Sequence, residues 1–448
     1  MELLSKLESR QARIGVVGMG YVGLPLALEF AGAGFAVTGI DLSEDKVARL
    51  RRGECYIPDV QEKMTAAALA RFEATTDFAA IAGLDAVCIC VPTPLTRNQE
   101  PDLSCIASAV EQLGAYLKPG ALVVLESTTY PGTTDELVAA ALAPDGRQAG
   151  RDFFLCYSPE RVDPGNKTFR IRNTPKVVGG STPRCLELGV KLYETIVERV
   201  VPVSSTRAAE MSKLLENTFR SVNIAFINEI AQLCDRIEVN VWEVIQAAAT
   251  KPFGFMPFYP GPGIGGHCIP LDPMYLSWKA KGENFFSRFI ELSQDLNRNM
   301  PRYVVQKTAD LLNRSGKSVK NSRILLLGMA YKPDVGDWRE SPSLEIYDLL
   351  HEKGARLAVH DPHCAGVRTE KGHRPEQAAE LDPHRLASYD CILLLTAHTA
   401  FDLGEIVRSG VPVLDTRNAF AGYDAASIVR IGDAMPGPDG SGRELAIV

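Results

Sequence analysis

The stretch RIGVVGMGYVGLPLALEFAGAGFAVTGIDLS at residues 13–43 decides the fold of the first part of this chain. Residues 13–17 and 36–40 are short apolar runs that predict strands, and residues 24–30 predict an apolar helix between them. Gly18, Gly20 and Gly23 form G-x-G-x-x-G before the helix, and Asp41 follows the second strand. This order predicts a Rossmann-type βαβ unit.

The same glycines predict a dinucleotide site. Two of them permit a tight turn and close approach of a pyrophosphate, the third permits close helix–strand packing, and the helix N-terminus faces the phosphates. Asp41 lies about where a ribose diol is bound, roughly 20 residues on. An acid there favours NAD over NADP, because a 2′-phosphate would meet like charge. A glycine-rich turn without a ligand is the alternative. The contacts expected in this unit are Gly18, Gly20, Tyr21, Val22, Gly23, Asp41 and Thr93.

The second informative stretch is GPGIGGHCIPLDPMY at residues 261–275, which places Cys268 in a glycine-rich loop. Glycines let the backbone pass close to a ligand, and the prolines that follow stiffen the loop. A thiol held in this way can attack a substrate carbon, and the carboxylate of Asp272 can tune it or move protons. The alternative is a small buried cysteine in a tight turn.

Polar residues follow three predicted strands of the first part of the chain, at residues 86–91, 121–125 and 153–157. Thr93, Thr128 and Glu160 lie just beyond these strands. Because ligands of parallel α/β sheets lie outside the carboxyl ends of the strands, we expect these side chains near the site. Each could instead cap a helix.

A long helix without proline or glycine is predicted over residues 206–237. It would span roughly 48 Å, and Lys213, Asn217 and Asn228 would lie within about 60° of one another on one face. A solvated face is the alternative, although such faces carry more charge, as Glu210 and Arg220 do. A helix of this length between two α/β units also favours a homodimer or higher oligomer.

Residues 323–327 predict the first strand of a second Rossmann-like unit, in which a single glycine, Gly328, replaces the G-x-G-x-x-G pattern. Such a unit can bind a different nucleotide. Lys332 and Arg339 could hold its phosphates, or form a surface charge pair. We therefore expect an α/β protein with two Rossmann-like doubly wound domains joined by a long central helix. The expected domains are residues 1–205 for NAD, 206–312 for the central helix and catalytic loop, and 313–448 for the second nucleotide.

The composition is that of a globular protein, with 46% hydrophobic and 23% charged residues. The net charge of −7 argues against a broad nucleic-acid surface. No run approaches 18 apolar residues, and residues 1–11 are too polar for a signal peptide. The ten cysteines are scattered without metal-ligand spacing. We expect a cytoplasmic protein without disulfides, metal, membrane or nucleic-acid partners.

GMGYVGLP at residues 18–25 and GGHCIPLD at residues 265–272 resemble the UDP-glucose/GDP-mannose dehydrogenase family, and the similarity extends to roughly residue 425. FYPGPGIGGHCIPLDPMYLSWKA and YSPERVDPGN are most similar to bacterial UDP-N-acetylglucosamine 6-dehydrogenases of surface-polysaccharide pathways. The similarity to UDP-glucose 6-dehydrogenases is weaker. Those enzymes carry Lys at the position of Leu271 and Ser or a similar residue at that of His267.

The resemblance implies a four-electron oxidation of a sugar C6 alcohol to a carboxylate by two NAD in turn. Asp272, with Lys213 and an ordered water, would move protons, and Cys268 would hold the aldehyde as a thiohemiacetal and then as a thioester. Lys213 and Asn217 would stabilise the oxyanion. Glu160 would activate water for hydrolysis. Thr128 would help to hold that water.

The resemblance also implies the substrate contacts. Glu160, Lys213 and Asn217 face the sugar. Lys332 contacts the UDP diphosphate, and Arg339 lies where substrate and cofactor meet. Phe258, Tyr259 and Gly261 surround the uridine and sugar. Arg288 is a candidate sugar or phosphate contact, possible across a dimer, although a surface ion pair explains it as well.

Three kinds of alternative remain. UDP-N-acetylglucosamine is the expected substrate, but UDP-glucose, UDP-N-acetylgalactosamine and UDP-N-acetylmannosamine stay open. A two-electron dehydrogenase of the hydroxy-acid type would share the Rossmann features without needing Cys268. An inactive nucleotide-sugar binding protein would keep the glycine motif and Lys332 but lose the thiol or the base.

Overall fold

The computed structural model describes residues 2–433, apart from residues 97, 144–145, 162, 164, 167, 267 and 379–380 and the side chains at 58, 59 and 61. The chain divides into two compact units, Met1–Glu216 with Leu271–Phe286, and Asn217–Pro270 with Ser287–Val448. The boundary falls inside one helix. The division into three domains at residues 1–205, 206–312 and 313–448 stays a prediction.

The strands of the first unit, in chain order, are β1 (Arg13–Val17), β2 (Ala36–Ile40), β3 (Phe72–Thr75), β4 (Ala86–Ile89), β5 (Leu122–Leu125), β6 (Phe154–Tyr157), β7 (Lys176–Gly180) and β8 (Val200–Val203). Among the described residues they form one sheet in the order β3-β2-β1-β4-β5-β6-β7-β8. Neighbouring strands are parallel except β6 and β7. The strand order reverses between β1 and β4, and ligands of such sheets bind beyond the strand ends at this reversal.

The α-helices of the described residues, in chain order, are α1 (Glu2–Glu8), α2 (Gly23–Gly32), α3 (Glu44–Arg51), α4 (Ala66–Leu69), α5 (Ser104–Tyr116), α6 (Ala139–Leu142), α7 (Pro183–Tyr193), α8 (Thr206–Ile237), α9 (Val241–Ala249), α10 (Asp272–Gly282), α11 (Arg288–Arg314), α12 (Pro342–Glu352), α13 (Pro383–Leu386) and α14 (Leu403–Arg408). The helix predicted over residues 206–237 is confirmed as α8. None of the described helices combines the length and apolar character needed to cross a membrane.

The sheet of the first unit is buried on both faces, as parallel sheets are. Ile14 and Val16 of β1 belong to one apolar core, and Val17 belongs to the core on the other face. Side chains of a strand point alternately to opposite faces, which explains this division. The continuous apolar runs of the predicted strands therefore indicate that helices cover both faces of the sheet.

The strands of the second unit are β9 (Arg323–Leu327), β10 (Arg356–His360), β11 (Glu376–Gln377), β12 (Cys391–Leu394), β13 (Val413–Asp415) and β14 (Ile428–Arg430). Within the described residues they form a parallel sheet in the order β11-β10-β9-β12-β13-β14. β13 begins at Val413, directly after Pro412, which has no N–H for the sheet. The predicted fold class, with two Rossmann-like units and α8 running from one into the other, is confirmed.

Candidate active site

The glycine turn after β1 has the shape that a dinucleotide requires. Gly18 has a φ of +94°, and a Cβ there would lie 2.6 Å from the carbonyl oxygen of Cys90 beyond β4. A Cβ on Gly23 would lie 1.8 Å from the carbonyl oxygen of Gly18. Gly20 differs, since no protein atom lies within 4 Å of the place its Cβ would take. The first and third glycines serve packing, and the second leaves open space beside the backbone.

The start of α2 and the end of β2 fit a bound dinucleotide. Val22 is the N-cap of α2 and gives no side-chain hydrogen bond to the first turn, in which the N–H of Leu24 donates to the carbonyl of Gly20 at 3.1 Å, so this helix end offers its dipole to a phosphate. Tyr21, beside it, is exposed. The Asp41 carboxylate follows β2 and accepts from the N–H of Met19 at 2.8 Å. The sequence reasoning missed Lys46, whose Nζ lies 3.1 Å from the same carboxylate.

The loops after β4 and β5 carry Thr93 and Thr128. The Thr93 carbonyl accepts a hydrogen bond from the hydroxyl of Tyr275, a residue of α10 that the sequence reasoning also missed. Ser127, next to Thr128, donates to the carbonyl of Val91 at 2.8 Å and ties the two loops together. Both threonines therefore lie at the carboxyl edge of the sheet, where the sequence predicted them.

Glu160 and Lys213 are in direct contact. The Lys213 Nζ donates to the backbone carbonyl of Glu160 at 2.6 Å, and Lys213 is buried although it is charged. One carboxylate oxygen of Glu160 accepts from the N–H of Arg161 at 2.8 Å. The other lies 3.7 Å from the Nζ of Lys176. The structure thus brings the predicted lysine and glutamate together and adds a second lysine.

Asp272 is buried at the first position of α10, in the same unit as Lys213 and Glu160. A carboxylate in the first turn of a helix is favoured by the helix dipole. Burial raises the pKa of Tyr275, one turn along, and Asp272 acts in the same direction. Asp272 and Glu210 likewise contribute, after burial, to the raised pKa of Tyr157 at the end of β6.

The placement of Glu210 on a solvated face is wrong. Glu210 is fully buried, and its carboxylate accepts from the N–H of Gly132 at 2.6 Å and from the N–H and hydroxyl of Thr134 at 2.9 and 2.7 Å. Burial raises the pKa of Glu210 to about 7, and these hydrogen bonds act in the opposite direction. Glu210 therefore holds the loop that follows Thr128 against α8.

The glycine-rich loop of the second unit packs against the segment that follows β9. A Cβ on Gly265 would lie 2.7 Å from the carbonyl oxygen of Glu340, and one on Gly266 would lie 2.9 Å from the ring of Tyr331. All ten cysteines lie in the described part of the chain, and Cys268 alone among them is exposed. The alternative of a buried structural cysteine is therefore wrong. His267 lies outside the described residues.

Two asparagines of α8 are buried in the second unit, so the alternative of a solvated face is wrong for them. The Asn228 side-chain oxygen accepts from the N–H of Gly261 at 3.0 Å, and its amide donates to Asn297 at the same distance. Asn297 in turn donates to the carbonyl of Ser221 at 3.1 Å. Asn217 is buried eleven residues before Asn228. The polar face of α8 thus fixes the start of the glycine-rich loop.

The residues predicted to surround the uridine and sugar are two aromatic residues and one buried glycine. Phe258 packs edge-on against Phe219, with ring centroids 5.7 Å apart. Tyr259 is exposed and stacks at 6.2 Å on Trp242. Gly261 is buried, and a Cβ there would lie 2.8 Å from the guanidinium of Arg417. The sequence reasoning missed this arginine, although its place just beyond β13 could have indicated it.

The three charged residues predicted to bind phosphates differ in exposure and in ion pairing. Lys332 is half-buried in the segment after β9. Arg339 is half-exposed and makes a bidentate pair with Asp337 at 2.8 and 2.9 Å. Arg288 is exposed at the first position of α11. The ion pair between Arg339 and Asp337 agrees with the alternative that Arg339 is a surface charge. The binding roles of Lys332, Arg339 and Arg288 stay predictions.

One cluster in the described residues has metal-ligand chemistry. Asp334, His363 and His398 place one ligand atom each within 4.8 Å of one another. The ring of His398 is already engaged, because its Nδ1 accepts from the N–H of Asp334 at 3.0 Å and its Nε2 lies 3.1 Å from Asp361. These contacts make His398 part of the fold. The expectation of no metal stays a prediction.

The structure groups the predicted residues within each unit. The first unit holds the glycine turn, Asp41, Thr93, Thr128, Glu160, Lys213 and Asp272, and the second holds Asn217, Phe258, Tyr259, Gly261, Cys268, Arg288, Lys332 and Arg339. The carboxyl-edge loops thus belong to the first unit with Asp272, and the glycine-rich loop with Cys268 belongs to the second. The catalytic roles of these residues stay predictions.

Comparisons with known proteins agree along the chain. The chain matches the NAD binding domain (residues 12–197), the central domain (207–299) and the UDP binding domain (325–422) of the UDP-glucose/GDP-mannose dehydrogenase family. It is 36% identical over 396 residues to a UDP-N-acetyl-D-glucosamine 6-dehydrogenase of Pseudomonas aeruginosa, covering 88% of this chain and 92% of the relative. It is also 36% identical over 409 residues to a UDP-N-acetyl-D-mannosamine dehydrogenase of Escherichia coli K12, covering 87% and 94%.

A solved structure of a UDP-D-ManNAc dehydrogenase from Pyrococcus horikoshii superposes with a TM-score of 0.84 at 30% identity, covering 94% of this chain and all of that one. The fold and the glycine turn define a Rossmann-type, NAD-dependent oxidoreductase. The chain belongs to the UDP-glucose/GDP-mannose dehydrogenase family. It is a UDP-sugar dehydrogenase that uses NAD, so the predicted family and cofactor are confirmed.

Proposed function

We propose that the protein oxidises the C6 alcohol of UDP-N-acetylglucosamine to the uronic acid in two NAD-dependent steps, for surface-polysaccharide synthesis. The observation that carries the covalent route is the exposure of Cys268 on a loop of glycines packed against Tyr331. A thiol used only for packing would be buried, as most of the other cysteines are. The inactive-protein and two-electron alternatives give no reason for this exposure.

When bound at the glycine turn after β1, NAD would supply the hydride acceptor for each oxidation step. Asp272, with a water and Lys213, takes the hydroxyl proton in the first step, which yields the aldehyde. The Cys268 thiolate adds to the aldehyde carbon, and loss of the second hydride turns the thiohemiacetal into a thioester. Lys213 and Asn217 stabilise the oxyanion. Buried ammonium and amide groups cost little reorganisation when this charge develops.

Hydrolysis completes the reaction. Glu160 takes a proton from a water that Thr128 helps to hold, the water oxygen bonds to the thioester carbon, and the Cys268 thiolate leaves. The contact between Lys213 and the Glu160 carbonyl supports this assignment, because it holds the base beside the oxyanion donor. Lys332, Arg339 and Arg288 would bind the diphosphate side of the substrate, with Phe258, Tyr259 and Gly261 around the uridine and sugar.

The identity of the sugar rests on relatives and has a second candidate. Relatives named as UDP-N-acetyl-D-glucosamine 6-dehydrogenases are 34–36% identical to this chain, and those named as UDP-N-acetyl-D-mannosamine dehydrogenases are 32–36% identical. UDP-N-acetylmannosamine is therefore the second candidate. UDP-N-acetylgalactosamine and UDP-glucose follow. A pocket that hydrogen-bonds the acetamido group should reject UDP-glucose, because its own polar atoms would stay unpaired.

Initial rates with purified protein on these four UDP-sugars test the proposal, together with the number of NADH formed per sugar. We expect two NADH per sugar and the highest kcat/KM for UDP-N-acetylglucosamine. Two NADH with a preference for another sugar would overturn the substrate assignment and keep the chemistry. One NADH per sugar would overturn the four-electron reaction.

We also infer a homodimer formed through α8. In the second unit Phe219, Phe226, Leu233 and Ile237 are exposed at intervals of seven, seven and four residues, which place them on one helix face. A long apolar stripe of this kind needs a cover, and a second copy of the chain supplies the same stripe. Light scattering should give twice the chain mass, and Phe226→Lys should shift it towards the monomer. The cytoplasmic location stays a prediction.

A further inference from the structure

A buried cluster of ionisable side chains lies behind Glu160 in the first unit. The Nζ of Lys176 contacts one carboxylate oxygen of Glu126, donates to the carbonyl of Pro159 at 3.1 Å and lies 3.7 Å from the carboxylate of Glu160. The hydroxyl of Tyr193 donates to the other oxygen of Glu126. Side-chain exposure is 7% for Lys176, 0% for Glu126 and 13% for Glu160. Lys176 is therefore almost completely buried, and Glu160 is the more exposed of the two.

The direction of one strand explains how the cluster forms. Glu126 follows β5 and Glu160 follows β6, so both lie at the carboxyl edge of the sheet. β7 is antiparallel to β6, with Cys156 opposite Gly180 and Tyr157 opposite Gly179. Continuing this register by three residues puts position 160 opposite Lys176, the first residue of β7. A parallel strand would begin at the far edge and could not bring its first residue here.

Lys176 remains a cation in this environment. Burial lowers its pKa, but the charges of Glu126 and Glu160 outweigh burial and the net direction is upward. Burial raises the pKa of Glu126, against the effect of Lys176. The ring of Tyr193 lies 5.1 Å from the Nζ of Lys176 and packs on the same cation. Lys176 is thus a largely buried positive charge with fixed partners.

The two oxygens of Glu160 are held differently. One accepts from the N–H of Arg161 at 2.8 Å, and the other faces Lys176 at 3.7 Å. The backbone carbonyl of the same residue accepts from Lys213 at 2.6 Å. A carboxylate with a contact at each oxygen has a defined orientation. Orientation of this kind is what a general base needs.

We propose that Lys176 is a positioning residue for the hydrolytic half of the reaction, holding the carboxylate of Glu160 aimed at the attacking water. The proposal rests on the proposed function, in which Glu160 takes the water proton as the C–O bond forms and the C–S bond to Cys268 breaks. The two oxidations precede this step and do not use Glu160 as base. Loss of Lys176 should therefore slow hydrolysis and spare hydride transfer.

The test uses a double variant, because removing Lys176 alone would leave Glu126 buried without its partner. Lys176→Met with Glu126→Gln removes both charges at similar volume. The matched control is Lys307→Met with Asp235→Asn, which removes a buried lysine–carboxylate pair in the second unit, at 2.9 Å and with 9% exposure on each side. The full-length proteins are compared by steady-state kinetics, by stopped-flow NADH formation in the first turnover, and by intact mass after acid quench.

For the test variant we expect kcat to fall roughly 10- to 100-fold, a part of the roughly 10²–10⁴-fold contribution of a general base. First-turnover NADH formation and kcat/KM should stay close to wild type, so that KM falls with kcat. A covalent sugar adduct should accumulate on Cys268. The control should show none of these changes.

Equal slowing of the first turnover and of kcat, without an adduct, would overturn the proposal, as would an unchanged kcat or the same changes in the control. The wild-type enzyme separates this result from a failure of the proposed function. If wild type forms two NADH per sugar and labels Cys268 while the test variant accumulates no adduct, only the role of Lys176 is wrong. If wild type forms one NADH per sugar, the four-electron reaction itself is wrong.

Discussion

Substitution of Gly20 by alanine is expected to weaken NAD binding without harming the fold. No protein atom lies within 4 Å of the place where a Cβ on Gly20 would stand, and the φ of Gly20 is outside the left-handed region. Alanine at a compatible glycine stabilises a protein by about 0.4–1 kcal/mol, because the unfolded chain loses freedom. The same methyl group would occupy the space in which the pyrophosphate passes the backbone.

The size of the loss follows from the cost of overpacking. Inserting a methyl group into an already filled contact costs about 1–3 kcal/mol, which is roughly 5- to 150-fold in the Kd for NAD. Gly32 provides the matched control, since its Cβ would meet no atom within 4 Å beyond its own helix turn and it lies at the other end of α2. Gly32→Ala should raise the melting temperature and leave the Kd for NAD unchanged.

Calorimetric titration with NAD and thermal unfolding without ligand are the two measurements. Gly20→Ala should unfold at or above the wild-type temperature and bind NAD more weakly. Wild-type affinity in this variant would refute the assignment of the open space to the pyrophosphate. A lower melting temperature would refute the geometric argument. Gly23→Ala marks the opposite extreme, because its Cβ would lie 1.8 Å from a backbone oxygen and the fold itself should suffer.

Four further outcomes are expected. Cys268→Ser should abolish carboxylate formation with an intact fold by circular dichroism, and a normal NADH yield would contradict the covalent route. Lys213→Ala should lower kcat by roughly 10²–10³-fold with little change in binding of the UDP-sugar, and an unchanged kcat with a raised KM would make Lys213 a binding residue. NAD should exceed NADP in kcat/KM by roughly 5- to 150-fold, about 1–3 kcal/mol, through Asp41, and comparable values would contradict this. Burial raises the pKa of Glu210 from 4.5 to about 7, so between these pH values the folded state keeps a proton that the unfolded chain has lost. The free energy of unfolding should therefore fall with rising pH more steeply in wild type than in Glu210→Gln. Equal pH slopes of the two proteins in urea unfolding would disprove this.

Local pattern in the sequence was enough for the elements and for the glycine turn. Apolar runs of five residues predict β1 and β2, and the absence of proline and glycine predicts α8 with both of its ends. The three glycines after β1 are specified by backbone geometry within a few residues. Such features depend on neighbours in the chain, so the sequence shows them directly.

Most of the errors and omissions involve partners distant in the chain. Helical periodicity places Glu210 on a face of α8, but it does not say that the loop at Gly132 and Thr134 covers that face. In the sequence, Lys176 is an ordinary charged residue at the start of an apolar run. Its position beside Glu160 depends on the antiparallel pairing of β7 with β6, and an apolar strand sequence does not indicate the direction of pairing.

Both units have a glycine with positive φ directly after the first strand of their sheet. They differ in the residues that follow this glycine, and this difference matches two different ligands. Gly328 after β9 has a φ of +84°, and its Cβ would lie 2.4 Å from the carbonyl oxygen of Thr396 beyond β12. Gly18 stands in the same relation to Cys90. At both positions a Cβ would collide with the backbone that follows the neighbouring strand, so both sheets require glycine there. Only the first unit adds further glycines for direct approach of a pyrophosphate to the backbone, whereas the second offers the long cationic side chain of Lys332 four residues on. A unit that used a lysine for its phosphates would tolerate an alanine at position 330, so the missing glycines of the second unit are compatible with the UDP binding domain that it matches.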